Sequence, residues 1–126
     1  MTTLADFAGI KVLVVEDEQI ISMFIENSLS DLGCKSITFA TNLTDAKNKV
    51  AKGDFDVVLL DVNLKGELSF PLAEILSAQH LPFIFSTGYG NFGIPVHLQN
   101  VPVLQKPFQE NELREKLQLV LTSHQI

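Results

Sequence analysis

Apolar residues recur along this chain in five short blocks, at 11–15, 35–39, 56–60, 82–86 and 101–104, several of them apolar at consecutive positions. Blocks of that length are strand-like, and unbroken apolar runs are expected where both faces of a strand are covered. Between the blocks the spacing becomes helical. Ile21, Ile25, Leu29 and Leu32 share one helix face, and Gly33 follows where a glycine commonly ends a helix. Leu43, Ala46 and Val50 mark a second helix, with Asn42 as N-cap, Asp45 favourable in the first turn and Gly53 as the stop. Leu72, Ile75 and Leu76 mark a third after Ser69 and Pro71, and Leu113, Leu117, Val120 and Leu121 mark the last. After the fourth strand, Gly88, Gly90, Gly93 and Pro95 oppose a regular helix, so the element there is expected to be short or irregular. Strands alternating with helical crossovers predict an α/β fold, a parallel sheet with helices on both faces.

Size and charge narrow the function. The 126 residues suit one domain, expected over 1–126 with its core at about 10–122, and leave no room for an output domain. Hydrophobic residues make up 46% of the chain and charged residues 19%, the balance of a soluble globular protein. Fifteen acids against nine scattered bases give a net charge of −6, which would repel nucleic acid. Cys34 is the only cysteine, so an internal disulfide or cysteine metal cluster is excluded and a reduced, cytoplasmic setting is expected. No run approaches the roughly 18 apolar residues that span a membrane, and Met1–Asp6 does not read as a secretion signal.

The ends of the strand-like blocks carry the chemistry. Val12–Val15 runs into Glu16, Asp17 and Glu18; Val57–Leu60 runs into Asp61; the fourth block leads to Thr87; the fifth leads to Lys106. In an open parallel sheet, the carboxyl ends of the strands form the ligand-binding edge. Taken singly, each residue has a plain structural reading: a turn before a helix for Glu16 and Asp17, strand-end turns for Asp61 and Thr87, a surface amine for Lys106. Their joint placement points elsewhere. Two carboxylates about 4 Å apart repel by roughly 4 kcal/mol at an effective dielectric of 20, which a divalent cation would relieve. All-oxygen donors favour Mg²⁺, which keeps waters and accepts a phosphate oxygen. Attack of Asp61 on phosphorus would give an acyl phosphate, with Lys106 neutralising charge and Thr87 donating a hydrogen bond.

These motifs, Val-Val-Glu16-Asp17-Glu18, Leu-Leu-Asp61-Val-Asn63-Leu, Ser-Thr87-Gly88 and Lys106-Pro107-Phe108, resemble the receiver domain of two-component response regulators over essentially the whole chain. The resemblance implies a flavodoxin-like doubly wound five-stranded parallel sheet of order 2-1-3-4-5. It further implies Mg²⁺-dependent phosphoryl transfer to Asp61, with Mn²⁺ as a substitute metal, from a sensor histidine kinase or histidine phosphotransfer protein. Asp17 and Asp61 would ligate the metal directly, Glu16 would act through water, and the Asn63 backbone carbonyl would complete the protein ligands. Thr87 and Lys106 would contact the phosphoryl group, Lys106-Pro107 would be a cis peptide, and output would pass to a partner protein through the face of the fourth and fifth helices. Such a protein is not an enzyme on other substrates: it catalyses only its own phosphorylation and dephosphorylation.

Three positions depart from the family pattern. Glu16 stands where aspartate is commonest, Val103 stands where a switch aromatic is usual, and Tyr89 follows Thr87 two residues later. The run Phe85-Ser86-Thr87-Gly88-Tyr89-Gly90 resembles a stand-alone receiver subgroup with a Phe-Ala-Thr-Gly-Tyr-type motif, which makes Tyr89 the candidate switch residue. The alternative is a pseudo-receiver that binds proteins without chemistry, against which the retained Asp17, Asp61, Thr87 and Lys106 speak. A haloacid-dehalogenase-type phosphatase would carry Asp-x-Asp after the first strand, and a flavin binder would need a hydroxyl- and glycine-rich loop there. His80, His97 and His124 adjoin none of the acids, and Phe92 and Phe108 read as packing residues.

Overall fold

The computed structural model describes residues 7–88 and 93–123. Five parallel strands, β1 (Lys11–Val15), β2 (Ser36–Ala40), β3 (Val57–Asp61), β6 (Phe83–Thr87) and β7 (Val103–Gln105), form one sheet in the order β2-β1-β3-β6-β7. This is the order 2-1-3-4-5 when only the strands of the main sheet are counted. Helices α1 (Gln19–Asp31), α2 (Leu43–Lys52), α3 (Phe70–Ala78) and α4 (Glu110–Ser123) alternate with them.

The period-2 alternation of each strand sorts its side chains onto two cores. Val12, Val14, Val57, Leu59, Ile84 and Leu104 face one side, against Ile25 and Leu29 of α1 and Leu113 and Leu117 of α4. Leu13, Val15, Val58, Leu60 and Phe85 face the other, against Ala46 of α2 and Leu72 and Leu76 of α3. A fully buried leucine or isoleucine at such a position contributes about 1.5–3 kcal/mol, so the consecutive apolar runs are what a sheet covered on both faces requires.

The caps follow the sequence closely. The Asn42 side chain accepts from the Asp45 N–H at 2.8 Å. Helix α1 ends with Gly33 at φ 101°, its N–H and that of Cys34 returning to the carbonyls of Ser30 and Leu29. Gly53 ends α2 for a different reason: a Cβ there would lie 2.5 Å from the Phe55 ring and 2.8 Å from the Lys49 carbonyl oxygen.

Two features differ from the sequence pattern. After β6, the described residues hold only a single 3-10 turn, Val96–Leu98, whose Leu98 packs with Ile94 into the core beside α3. Between β3 and α3 lies an unanticipated hairpin of β4 (Asn63–Leu64) and β5 (Glu67–Leu68), joined by Lys65-Gly66. Its strands have two residues each and no β-branched side chains, so periodicity carries no trace of it. Tyr89, the candidate switch residue, lies outside the described residues, as do Gly90, Phe92 and His124. The Phe108 ring is buried and packs edge-on against Phe24 at 5.7 Å.

Candidate functional site

Four strand ends converge on one edge of the sheet. Asp61 is the last residue of β3 and pairs in register with Ser86 of β6, which puts Thr87 one step further along the same edge. The β1 ladder continues one residue past Val15, because the Glu16 N–H donates to the Ala40 carbonyl at 3.0 Å. Lys106 follows β7 and is held there by its own N–H, which donates to the Thr87 carbonyl at 2.8 Å. The Lys106-Pro107 peptide is cis.

Glu16 is not a solvated turn residue. It is 2% exposed, with its side chain turned into the site and its Oε2 accepting from the Glu18 N–H at 3.1 Å. Nor is Lys106 a surface amine: its side chain is 12% exposed, and its Nζ donates to Asp61 Oδ2 at 3.1 Å. The same ammonium lies 2.9 Å from Glu16 Oε1, a charge contact without hydrogen-bond alignment, and 3.9 Å from Glu18 Oε1. Asp61 Oδ1 accepts from the Asn63 N–H at 3.2 Å. Glu18, Asp61, Asn63, Thr87, Gly88 and Lys106 together line an open pocket of about 320 Å³. The Glu16, Asp17 and Asp61 carboxylates each offer an oxygen within 4.8 Å of the others, an arrangement that could share a cation.

One ammonium does not neutralise this group. Burial pushes the Glu16 carboxyl up to about 7, with the Asp61 charge adding to the rise and Lys106 opposing it. Burial likewise raises Asp61, against lowering by Lys106 and by the Asn63 N–H. Burial also pulls the Lys106 ammonium down, but Glu16 and Asp61 outweigh it and hold the group above its ordinary value of 10.5. The unaligned, buried Glu16 Oε1 and the three converging oxygens are what a hard divalent cation uses, so the residues present fit Mg²⁺. The longer glutamate side chain does not keep its carboxylate out of the cluster.

Sequence reasoning assigned no role to Glu18, which the structure brings to the pocket beside Asp61 and within 3.9 Å of Lys106. It also passed over Lys65, at the tip of the hairpin, which lines an adjoining cavity with Glu16 and Asp17. The Glu16-Asp17-Glu18 run could have suggested the first; the second depends on a hairpin without a sequence mark. His80 and His97 stand away from the acids, His97 in contact with Glu74 of α3.

The chain is similar to known proteins over most of its length. The family model described as "Response regulator receiver domain" matches residues 12–118. The chain is 29% identical to the chemotaxis protein CheY-3 of Vibrio cholerae, covering 86% of this chain and 89% of that protein. It is also 29% identical to the sensory transduction protein LytR of Streptococcus agalactiae, over 82% of this chain but 44% of LytR, and so spans less than half the length of that relative. The solution structure of SdrG from Sphingomonas melonis superposes with a TM-score of 0.78 at 33% identity, covering 100% of both chains. With a family match across nearly all of its sheet and helices, this chain belongs to the response regulator receiver domain family of two-component signalling.

Proposed function

We propose that this protein accepts a phosphoryl group on Asp61 from a histidine kinase or histidine phosphotransfer protein and signals, or drains phosphate, through partner proteins. The observation that carries this reading is that the buried Asp61 lines an open pocket, 3.1 Å from the Lys106 ammonium and beside two further carboxylates. Glu16, Asp17, Asp61 and the Asn63 carbonyl would hold Mg²⁺, which when bound supplies positive charge to the phosphoryl oxygens.

The chain's own residues do the rest. An Asp61 carboxylate oxygen attacks phosphorus, an O–P bond forms, and the bond between phosphorus and the donor breaks, with the electron pair leaving on the donor. Lys106 must then exchange one carboxylate partner for a phosphoryl oxygen, a shift over the width of a single contact. Thr87, buried at the adjacent strand end, would donate its hydroxyl to another oxygen. Water attacking the phosphorus later returns Asp61 and inorganic phosphate. The protein thus acts only on its own acceptor and turns over no separate substrate. Its net charge of −6 supports a protein partner rather than nucleic acid. Among the described residues no helix is long and apolar enough to cross a membrane.

Incubation with acetyl phosphate and Mg²⁺, followed by intact mass, tests the reading. One added phosphate on the wild type and none on Asp61→Asn is the expected result. An unmodified wild type, or undiminished labelling of Asp61→Asn, overturns it and leaves the protein-binding pseudo-receiver.

A further inference from the structure

The hairpin that follows Asp61 carries a lysine where turn chemistry disfavours one. Lys65 and Gly66 form its two-residue connection and both have positive φ, 53° and 88°. Connections of this kind select asparagine, aspartate and glycine, because a Cβ is strained in the left-handed region. The strain is held by hydrogen bonds that lead back to the acceptor. The Asn63 side-chain oxygen accepts from the Gly66 N–H at 2.6 Å, the Asn63 N–H donates to Asp61 Oδ1 at 3.2 Å, and the Ser69 N–H closes the base on the Val62 carbonyl at 2.9 Å. The position of Lys65 is therefore fixed relative to Asp61.

Its side chain lines an open cavity of about 500 Å³ next to the acid cluster, with Glu16, Asp17 and Glu26 among the other walls. Among the described residues, Lys65 is the only basic one lining that cavity. Among the described residues it forms no ion pair, in contrast to Lys106, which is enclosed and shared by Glu16 and Asp61. The site thus has an inner cation that is occupied and an outer one that is not. A phosphodonor arrives as an anion at a protein of net charge −6, against the acids of this edge. The Lys65 ammonium, in a cavity shared with the Glu16 and Asp17 carboxylates, offsets part of that repulsion.

We propose that Lys65, from the cavity that adjoins the acceptor pocket, attracts the anionic phosphodonor and sets donor preference by charge, an inference that rests on reading Asp61 as the phosphoryl acceptor. Lys65 takes no part in bond making. Its charge also opposes a cation bound at Glu16 and Asp17, so its removal acts in opposite directions on donor and metal. A purely structural role would not do that.

Lys65→Asn is the informative variant, because asparagine suits the left-handed turn while removing the ammonium and its stem. Phosphorylation is followed by intact mass at saturating Mg²⁺ with acetyl phosphate and with phosphoramidate, which carries less negative charge at neutral pH. The half-saturating acetyl phosphate concentration is expected to rise about three- to fivefold with the limiting rate unchanged. The effect should be smaller with phosphoramidate and should shrink at high salt, Mn²⁺ affinity should not fall, and Lys65→Arg should behave as wild type. Equal half-saturation in wild type and Lys65→Asn, or equal effects on both donors, overturns the role of Lys65 while leaving the acceptor reading intact. A wild type labelled by neither donor overturns both.

Discussion

Lys106 Nζ reaches Asp61 Oδ2 at 3.1 Å across 45 positions of sequence, while the Lys106 N–H is fixed on the Thr87 carbonyl at 2.8 Å. The backbone bond registers the lysine and the side chain spans the pocket. Replacing Lys106 by methionine keeps the stem and leaves Glu16 and Asp61 without their shared cation. Breaking a buried pair from one side is costly, so the metal-free variant should lose about 3 kcal/mol of stability at neutral pH in urea unfolding. Saturating Mg²⁺ should recover most of the loss. A variant as stable as wild type in chelator would mean that the contact contributes nothing net.

The raised Glu16 carboxyl gives the metal-free protein a distinct pH dependence. Its folded value of about 7 lies above the ordinary 4.5, so between those values the folded protein binds more protons than the unfolded chain. Stability from this group is therefore highest at low pH, falls as pH rises through that interval and is level above it. The raised Asp61 acts with the same sign. Urea unfolding in chelator should show wild type losing on the order of 2 kcal/mol more than Glu16→Gln between pH 5 and 8. Parallel curves for the two proteins would contradict the assignment.

Ser86 is 1% exposed, and among the described residues its hydroxyl has no hydrogen-bond partner although it sits in register with Asp61. A buried hydroxyl without a partner keeps its desolvation cost, so Ser86→Ala should stabilise the fold by about 1 kcal/mol. The thermal midpoint should rise without change in Asp61 labelling. A lower midpoint would reveal an ordered water satisfying the hydroxyl.

Helices α1 and α3 end in the same hydrogen-bond pattern with different residues. At the end of α3, His80 has φ 57°, its N–H donating to the Ser77 carbonyl and the Leu81 N–H to that of Leu76. Gly33 holds the equivalent place after α1 at φ 101°. The strain of a Cβ in this region predicts that His80→Gly stabilises by up to about 1 kcal/mol, read as a higher urea midpoint at unchanged slope. A fall in stability would mean that the imidazole makes up the strain through its surroundings.

The five main strands, the four regular helices and the caps at Asn42 and Gly33 were legible because they depend on local periodicity and local hydrogen bonds. The first strand keeps its expected bounds, the next three lie one residue later and the fifth starts two residues later, at Val103, small shifts where strands are covered on both faces. The acids, the hydroxyl and the lysine were legible as a group because a parallel sheet places successive strand ends on one edge. The β4–β5 hairpin was not, since the hydrogen bonds of Asn63 and Ser69 form it rather than any pattern of side chains.

By itself the sequence determined the layered fold and the chemistry available at its edge, because apolar spacing dictates which faces must be covered and strand ends carry the polar residues. Only the tertiary structure decided the state of those residues. Packing buried Glu16 instead of leaving it in solvent, enclosed Lys106 between two carboxylates, and set Lys65 in the wall of a cavity shared with Glu16 and Asp17. Burial and charge contact are properties of the assembled site, and they turn a row of strand-end residues into an under-neutralised pocket, the basis of the proposed metal and phosphoryl chemistry.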